Sequence, residues 1–554
     1  MRNYAISFVV GSAVLCVMAW LIMTLVKYPE IKYLPFYTFS TVFRIVITLV
    51  ISVVWGVSFG VLAATNRAAS LILTPFIDLL QSIPILGYFP LVIGFLFALG
   101  PLGVELSVIL LLFTSMAWAI FFGVLGAIRG IPTNVVESAR SFGLTGWRYI
   151  RHVVLPAIAP TVAAGANLAW CDGWFFVIAA EYIQYQGNIV PPPSGGLGYL
   201  LAKAAYYYKD IILSSVLLLF ITFIVLFFNT LTWHRLMERA EAGTFKPILK
   251  MDLSGIGKLG VKISSWPPLG RLRWPKSFSI ASQRLRKYSH IERILAVALA
   301  SSAILFIFYI YIVIGKPPTL GMILQEFNKP PAGELGSLPV LIGLTIGRLV
   351  IAYGISLVVA IGLGVLAAEH KKAVAVIYPL YDIGQGVPIL ALFPVMFLGL
   401  NQLLSPRMAL ELTCIIMLVL DMIWYMFLNI LIGIKNIPTE IKEVGQLFGF
   451  KGLKRITHIV IPAILPSIVT GSILSWGTGW NTIIFAEYMP SSEPTIPPLS
   501  VPGIGSLLDK AGYEYGNTLL LVFILGIIAA VVLLMEGLVW RPLLRKFERY
   551  HIEV

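Results

Sequence analysis

The chain has 554 residues, of which 58% are apolar or aromatic and only 12% charged, with 40 Lys and Arg against 26 Asp and Glu. A soluble protein of this length would divide into several domains, each needing a charged skin, and so few charges cannot supply one. A soluble multidomain enzyme is therefore excluded, and a mean hydropathy of +0.90 puts most of the chain in lipid. A helix needs about 20 apolar residues to cross a bilayer. In chain order, six such stretches are expected at 5–26, 40–65, 84–100, 105–128, 160–182 and 210–232. A polar break at 234–290 follows, and then six more stretches at 291–315, 340–368, 385–402, 408–435, 465–488 and 517–540. The first stretch has a weak basic start at Arg2 and no small-residue cleavage site, so it reads as a retained helix. Cys16, Cys171 and Cys414 stand singly in apolar stretches, with neither metal spacing nor a disulfide framework.

The breaks between spans set an orientation. Arg129, Arg140, Arg148 and Arg151 fall on one side, with Lys371, Lys372, Lys435, Lys451, Lys454 and the basic tail from Arg541 to Arg549. The opposite breaks are sparser in Lys and Arg, so the basic side is expected to be cytoplasmic, with both termini inside a cell (inner or plasma) membrane. The break at 234–290 carries twelve basic residues against Glu238, Glu241 and Asp252, which is nine of the net fourteen positive charges. Its prolines oppose one continuous helix. No folded module accompanies the charge, so it reads as a linker on an anionic membrane surface rather than a nucleic-acid site.

The chain is an internal repeat. Gly60-Val61-Leu62-Ala63-Ala64 recurs 304 residues later as Gly364-Val365-Leu366-Ala367-Ala368, and Arg44 matches Arg348. Beyond a two-residue insertion near Asn401 the offset is 306, so that Glu137, Trp170, Gly173, Trp174 and Glu181 match Glu443, Trp476, Gly479, Trp480 and Glu487. Each unit has an even number of spans, so the two enter and leave on the same side and are parallel repeats. The expected fold is all-α and integral to the membrane, with two six-helix repeats and about twelve transmembrane helices. The first repeat is placed at 1–233, the linker at 234–290 and the second repeat at 291–554.

Between spans four and five of each repeat lies a charged elbow, at 129–156 and 435–462. Glycine follows glutamate by six positions and proline follows glycine by thirteen, as Glu137, Gly143, Pro156 and as Glu443, Gly449, Pro462. Pro132 and Pro438 sit where a short helix can begin, with an acidic residue in its early turns. Gly143 and Gly449 permit a left-handed exit, and Pro156 and Pro462 are expected to mark the start of the next membrane helix. Such an elbow can be gripped by a partner and pass force to the span that follows.

This pattern resembles the EAA motif of ABC importer permeases, over nearly the whole chain as two fused copies of the permease domain. Trp170-x-x-Gly173-Trp174, Ala180-Glu181 and Gly196-Leu197-Gly198-Tyr199-Leu200-Leu201 look like the nitrate/sulfonate/taurine/bicarbonate branch. The second copy has Ala486-Glu487 and Gly503-Ile504-Gly505-Ser506-Leu507-Leu508. Ser138 and the Val444-Gly445 pair depart from the alanines of the motif, which implies a less helical second elbow or one fitted to a different ATPase. The resemblance implies a type I importer fold and passage of a small anion. Its partners would be two cytoplasmic ATPase subunits and an extracytoplasmic binding protein. It assigns coupling to Glu137, Gly143, His152, Pro156, Glu443, Gly449, His458 and Pro462. No G-x-x-x-x-G-K-[ST] loop occurs, and Gly257-Lys258 lacks both the upstream glycine and the Ser or Thr. ATP hydrolysis is therefore expected on another chain, with no cofactor or metal on this one. An ion-gradient-driven secondary transporter is the rival reading, and a scaffold has no need of two elbows.

Ionisable residues within spans are candidates for function. Arg44 and Arg348 share a depth with Glu181 and Glu487, so the expected pairs are Arg44–Glu181 and Arg348–Glu487, either structural or part of an anion path. Trp170 with Trp174, and Trp476 with Trp480, share a helix face four residues apart, for packing or for lining the path. Asp172 matches Thr478 and Asp421 matches Ser115, so these carboxylates break the repeat. They are expected either to bond to the backbone or to shape selectivity on one side only, as gates rather than as binding groups for an anion. The Pro/Gly-rich loop at 191–196 and its counterpart at 491–505 are expected to face the binding protein.

Overall fold

A computed structural model describes residues 28–229 and 331–547, apart from 145, 183, 186–187, 190–191, 439, 442, 444–446, 451 and 490–497. The expected spans 5–26 and 291–315 and the linker 234–290 lie outside the described residues. In the first repeat the helices are α1 (Leu34–Thr65), α2 (Arg67–Ser82), α3 (Ile85–Leu96), α4 (Pro101–Arg129) and α5 (Thr133–Ser141). Then come α6 (Gly146–Tyr149), a π turn (Ile150–Val154), α7 (Leu155–Glu181), α8 (Leu197–Ala202), a second π turn (Lys203–Tyr207) and α9 (Ile211–Phe228). The second repeat follows suit with α10 (Leu338–Glu369), α11 (Lys371–Gly386), α12 (Ile389–Asn401) and α13 (Pro406–Lys435). It continues with α14 (Gly452–Arg455), a π turn (Ile456–Val460), α15 (Ile461–Ala486), α16 (Ile504–Asp509), a π turn (Lys510–Glu514), α17 (Thr518–Met535) and α18 (Arg541–Phe547). Two-residue ribbons, Gln184–Tyr185 with Asn188–Ile189 and Tyr488–Met489 with Leu499–Ser500, are the strands among the described residues.

Eight helices among the described residues are long and apolar enough to cross a membrane. The expected spans 84–100 and 385–402 are shorter: α3 has 12 residues and α12 has 13. At about 1.5 Å per residue neither crosses the hydrocarbon alone. The break after α3 follows from Gly100, whose φ of +63 turns the chain into α4.

The α1 helix shows why these sequences pack as they do. Ser40, Arg44, Thr48, Ser52, Gly56 and Gly60 recur every four residues and form a buried stripe. Phe36, Phe39, Phe43, Val50 and Val54 are exposed on the other face, where lipid is the solvent. Small groups on the stripe let α4 come close: a Cβ on Gly56 would lie 2.8 Å from Ile120, and one on Gly60 2.8 Å from Val124. The α4 helix in turn packs against α7, and α10, α13 and α15 repeat the arrangement.

The halves meet through their short helices. The α12 helix packs against α7 and α9 of the first half, and α3 packs against α15 and α17 of the second. The backbone N–H of Ile85 donates to Asn481 Oδ1 across this seam at 2.6 Å. Buried residues of both halves, among them Phe89, Ile93, Trp174, Phe393 and Ile484, form one continuous core.

Candidate functional site

Two places in each repeat concentrate polar chemistry: the elbow, and a buried ionic fork at the opposite end of the bundle. In the first elbow, the carbonyl of Pro132 accepts from the N–H groups of Val135 and Val136 at 3.1 and 3.3 Å, which opens α5. The helix ends where Leu144 N–H donates to the Ala139 carbonyl at 3.0 Å around Gly143, whose φ is +71. That is a Schellman close, and glycine suits its left-handed position. Gly146 is also left-handed at +53, and Gly449 and Gly452 repeat the pair at +71 and +52. Glu137 is the fifth residue of α5, so it does not sit in the first turn as helix-start electrostatics would require. It is exposed, as is Glu443. The Val444-Gly445 pair lies outside the described residues.

Pro156 and Pro462 stand at the second position of α7 and α15, as expected, but the helical path does not begin there. Those helices are already under way at Gly146 and Gly452, and each proline follows a π turn, Ile150–Val154 or Ile456–Val460. Proline lacks an N–H and its ring crowds the carbonyl four residues back, and widening the preceding turn relieves both. His152 and His458 stand on these π turns, each with Nδ1 3.0 Å from a carbonyl oxygen, of Arg148 and Lys454 respectively. Phe142 and Phe448 are 84% and 74% exposed at the tips, and Leu447 beside Phe448 is 85% exposed. An exposed aromatic thus stands at the same position of both elbows.

At the opposite end Arg44, 1% exposed, lies between two carboxylates. Its Nη1 donates to Glu181 Oε1 at 2.5 Å, while Nε and Nη2 donate to Glu105 Oε1 and Oε2 at 2.6 and 3.1 Å. Nη1 also donates to the Gly195 carbonyl at 2.7 Å and Nη2 to Ser194 Oγ at 2.5 Å. The second repeat rebuilds the fork: Arg348 reaches Glu487 Oε1 at 2.7 Å, Glu411 Oε1 and Oε2 at 2.6 and 2.9 Å, and the Pro502 carbonyl at 2.9 Å. The expected Arg–Glu pairs are thus formed, and each gains a second carboxylate. Glu105 and Glu411 escaped the sequence reading, although their 306-residue offset is the same signal that marked Glu181 and Glu487.

The fork explains the Gly-x-Gly motif. Gly198 N–H donates to Glu181 Oε2 at 2.8 Å and Leu197 N–H to Thr41 Oγ1 at 2.9 Å, while Thr41 Oγ1 donates to Glu181 Oε1 at 2.7 Å. A Cβ on Gly196 would lie 2.1 Å from the Glu181 carboxyl carbon, and one on Gly503 2.1 Å from Glu487 Oε2. Glycine is required because backbone and carboxylate occupy the space of a side chain. Each buried glutamate is thereby met by an arginine, a threonine and amides, as a buried charge must be. The fork ties α1, α4, α7 and the α8 loop at one point.

The tryptophans are packed. Trp170 and Trp174 are 3% and 0% exposed, edge to face with centroids 6.1 Å apart. Trp170 also meets Phe228 at 5.7 Å, and Trp476 meets Trp540 at 5.9 Å. Trp480 is 3% exposed. Gly173 and Gly479 make room for Met116 and Met422, whose Cε atoms a Cβ would meet at 2.1 and 2.3 Å. Asp421 accepts from the side chain of Thr482 at 2.8 Å rather than from backbone. Asp172 is half-buried and within electrostatic reach of Asp421 across the seam. No group of three or more metal-ligating side chains occurs among the described residues.

The family of binding-protein-dependent transport system inner membrane components matches the chain twice, over residues 56–241 and 360–541. The chain is 26% identical over 158 residues to the taurine transport system permease protein of Escherichia coli, covering 28% of this chain and 53% of that one. It is 24% identical over 171 residues to the nitrate import permease protein of a Synechocystis species, covering 31% and 59%. Over 169 residues it is 30% identical to the glycine betaine transport system permease protein of Bacillus subtilis, covering 30% and 58%. The match thus spans a little over half the length of these relatives.

Proposed function

The chain belongs to the family of binding-protein-dependent transport inner-membrane components and carries that domain twice, and from that premise we propose that it forms the whole translocation pathway of an ATP-driven importer. Residues 1–233 and 291–554 act as two permease halves joined by the basic linker 234–290. Two ATPase subunits, on separate chains, grip the elbows from the cytoplasm, and both termini lie on that side. Glu137, Gly143, His152 and Pro156, with Glu443, Gly449, His458 and Pro462, form the coupling joints. Each π turn conducts the tilt of an elbow into α7 or α15. The forks of Arg44 with Glu181 and Arg348 with Glu487 lie at the extracytoplasmic mouth, where a binding protein delivers a small solute with an anionic group, of the nitrate, sulfonate, taurine or bicarbonate kind. The duplicated elbow with an exposed phenylalanine carries this reading, because a gripped surface is its simplest use and ATPases of this type act as pairs.

The test is uptake into proteoliposomes holding this chain with its cognate ATPase and binding protein, supplied with labelled nitrate, bicarbonate or taurine. Uptake of one of these should require ATP and be lost in Phe142→Asp and Phe448→Asp, with the variant chains still inserted. ATP-driven uptake surviving both changes would remove the coupling role. Uptake by the chain alone, driven by an ion gradient, would replace this reading with that of a secondary transporter.

A further inference from the structure

The seam between the halves holds a small cavity near the ionic forks, with about 30 Å³ open to the centre of a water molecule. It is lined by Leu86 and Tyr182 of the first half and Phe485, Tyr488, Asp509 and Tyr513 of the second. Asp509 is 4% exposed, and among the described residues no hydrogen bond or ion pair reaches its carboxylate. The charge that acts on it is Glu487, itself held by Arg348. The buried hydroxyl of Tyr182 in the same wall also lacks a hydrogen-bond partner. Buried polar groups are normally satisfied, so two orphans facing one cavity point to an absent third party.

The repeat sharpens this. Tyr182 matches Tyr488 at the 306-residue offset, and Tyr206 matches Tyr513 at 307, the offset of Gly196 and Gly503. Tyr206 lies against Tyr182 with ring centroids 5.1 Å apart. Four tyrosines therefore gather about the pseudo-two-fold seam. At the matching position of the first half Asp509 is replaced by Ala202, so one carboxylate has been added to an otherwise symmetric aromatic set. Asp172 and Asp421, opposite Thr478 and Ser115 in the repeat, likewise add only negative charge along the seam. An aromatic wall with one unpaired carboxylate attracts a cation. The cavity exceeds the roughly 10–15 Å³ one water needs and fits a group of that size. A metal ion would want several more oxygens than this wall supplies.

We propose that Asp509 and the tyrosines around it bind the ammonium end of the transported solute, so that the solute is a small amine carrying an anionic group rather than a bare inorganic anion. This rests on the permease reading and narrows its substrate class. Binding is measured on the full chain in lipid nanodiscs, without ATPase or binding protein, as the rise of the unfolding midpoint with added methylammonium, taurine, isethionate or sodium. Isethionate is taurine with a hydroxyl in place of the ammonium. Methylammonium and taurine should stabilise the chain, and isethionate and sodium should not. Asp509→Asn should weaken taurine binding about tenfold, the scale of one lost charge contact, and Asp509→Glu should restore most of it. Should Asp509→Asn fail to fold, Tyr488→Leu keeps the carboxylate and should weaken binding of methylammonium in the same direction. Equal effects of taurine and isethionate, a rise with sodium alone, or binding indifferent to Asp509→Asn would each overturn the proposal. ATP-driven uptake is read separately: its absence with binding intact removes the permease reading, and taurine uptake undiminished in Asp509→Asn removes this one.

Discussion

At the scale of single residues the forks dominate, because each encloses a full charge. Arg44 holds both Glu181, fully buried, and Glu105, which keeps 26% exposure. Arg44→Ala strands the buried glutamate, a loss of about 3–5 kcal/mol. Pairing it with Glu181→Gln should recover part of that, since the stranded charge is then gone. Unfolding midpoints in detergent for wild type, Arg44→Ala and the double variant measure this, and a single variant melting with wild type would show the fork to be structurally idle. Glycines give a second contrast. Gly196→Ala must push its Cβ into the Glu181 carboxylate, whereas Gly143→Ala meets nothing within 4 Å and bears only the left-handed backbone strain, about 1–2 kcal/mol. Gly196→Ala should therefore be much the more destabilising in the same melting assay, although both glycines belong to motifs of equal prominence in the sequence.

At the scale of elements, the helices long enough to span were legible from hydropathy, and the elbows from a repeated Glu, Gly and Pro spacing. The π turns were not. Pro156 looks like a helix start because proline is favoured there, and only the packed structure shows a widened turn carrying the helix through it. Glu105 and Glu411 were readable from the offset but lie close to helix starts, where an acidic residue draws no notice. The two α8-type loops hide in Pro/Gly-rich sequence because their short helices are held by a buried carboxylate and by a threonine, Thr41 or Thr345, that lies 156 or 159 residues away in the chain. The start of α9 offers a prediction with its own control. Asp210 caps it, accepting from Ile212 and Leu213 N–H at 2.8 and 3.0 Å, and takes the Tyr28 hydroxyl as well. Burial pushes this carboxyl up, but the Tyr28 hydroxyl and the two amides outweigh it and hold it below the ordinary 3.8. A lowered value means that the folded chain prefers the carboxylate. The stabilisation is full above 3.8 and fades as pH falls through the lowered value. At the equivalent start of α17 the cap is Asn517, which accepts from Leu520 N–H at 3.1 Å and does not titrate. Asp210→Asn should thus cost stability near neutral pH and close most of the gap to wild type in strong acid. Asn517→Ala should cost about 1 kcal/mol at every pH.

At the scale of the molecule, duplication has produced two halves that share a core rather than two domains that merely touch. The short helices α3 and α12 cannot cross the bilayer alone, and each completes its burial against the other half's spans. Phe89 and Ile93 from one side and Phe393 and Ile484 from the other are all within 1% of full burial in the same cluster. Separating the halves would expose these side chains together with the Asn481 contact to Ile85, so neither half retains its packing once the other unfolds. Unfolding in detergent should therefore be one cooperative transition. The decisive comparison is between Arg44→Ala and Arg348→Ala, which wound the first and second fork respectively. If the core is shared, either substitution lowers the single midpoint, and the double variant lowers it further by nearly the sum, since the forks lie in different halves and share no partner. If the halves are independent units, each variant splits the melt into one shifted and one unshifted transition. That second outcome would mean that the seam is a docking surface between self-sufficient domains, and the pseudo-two-fold pathway could then open without disturbing either core.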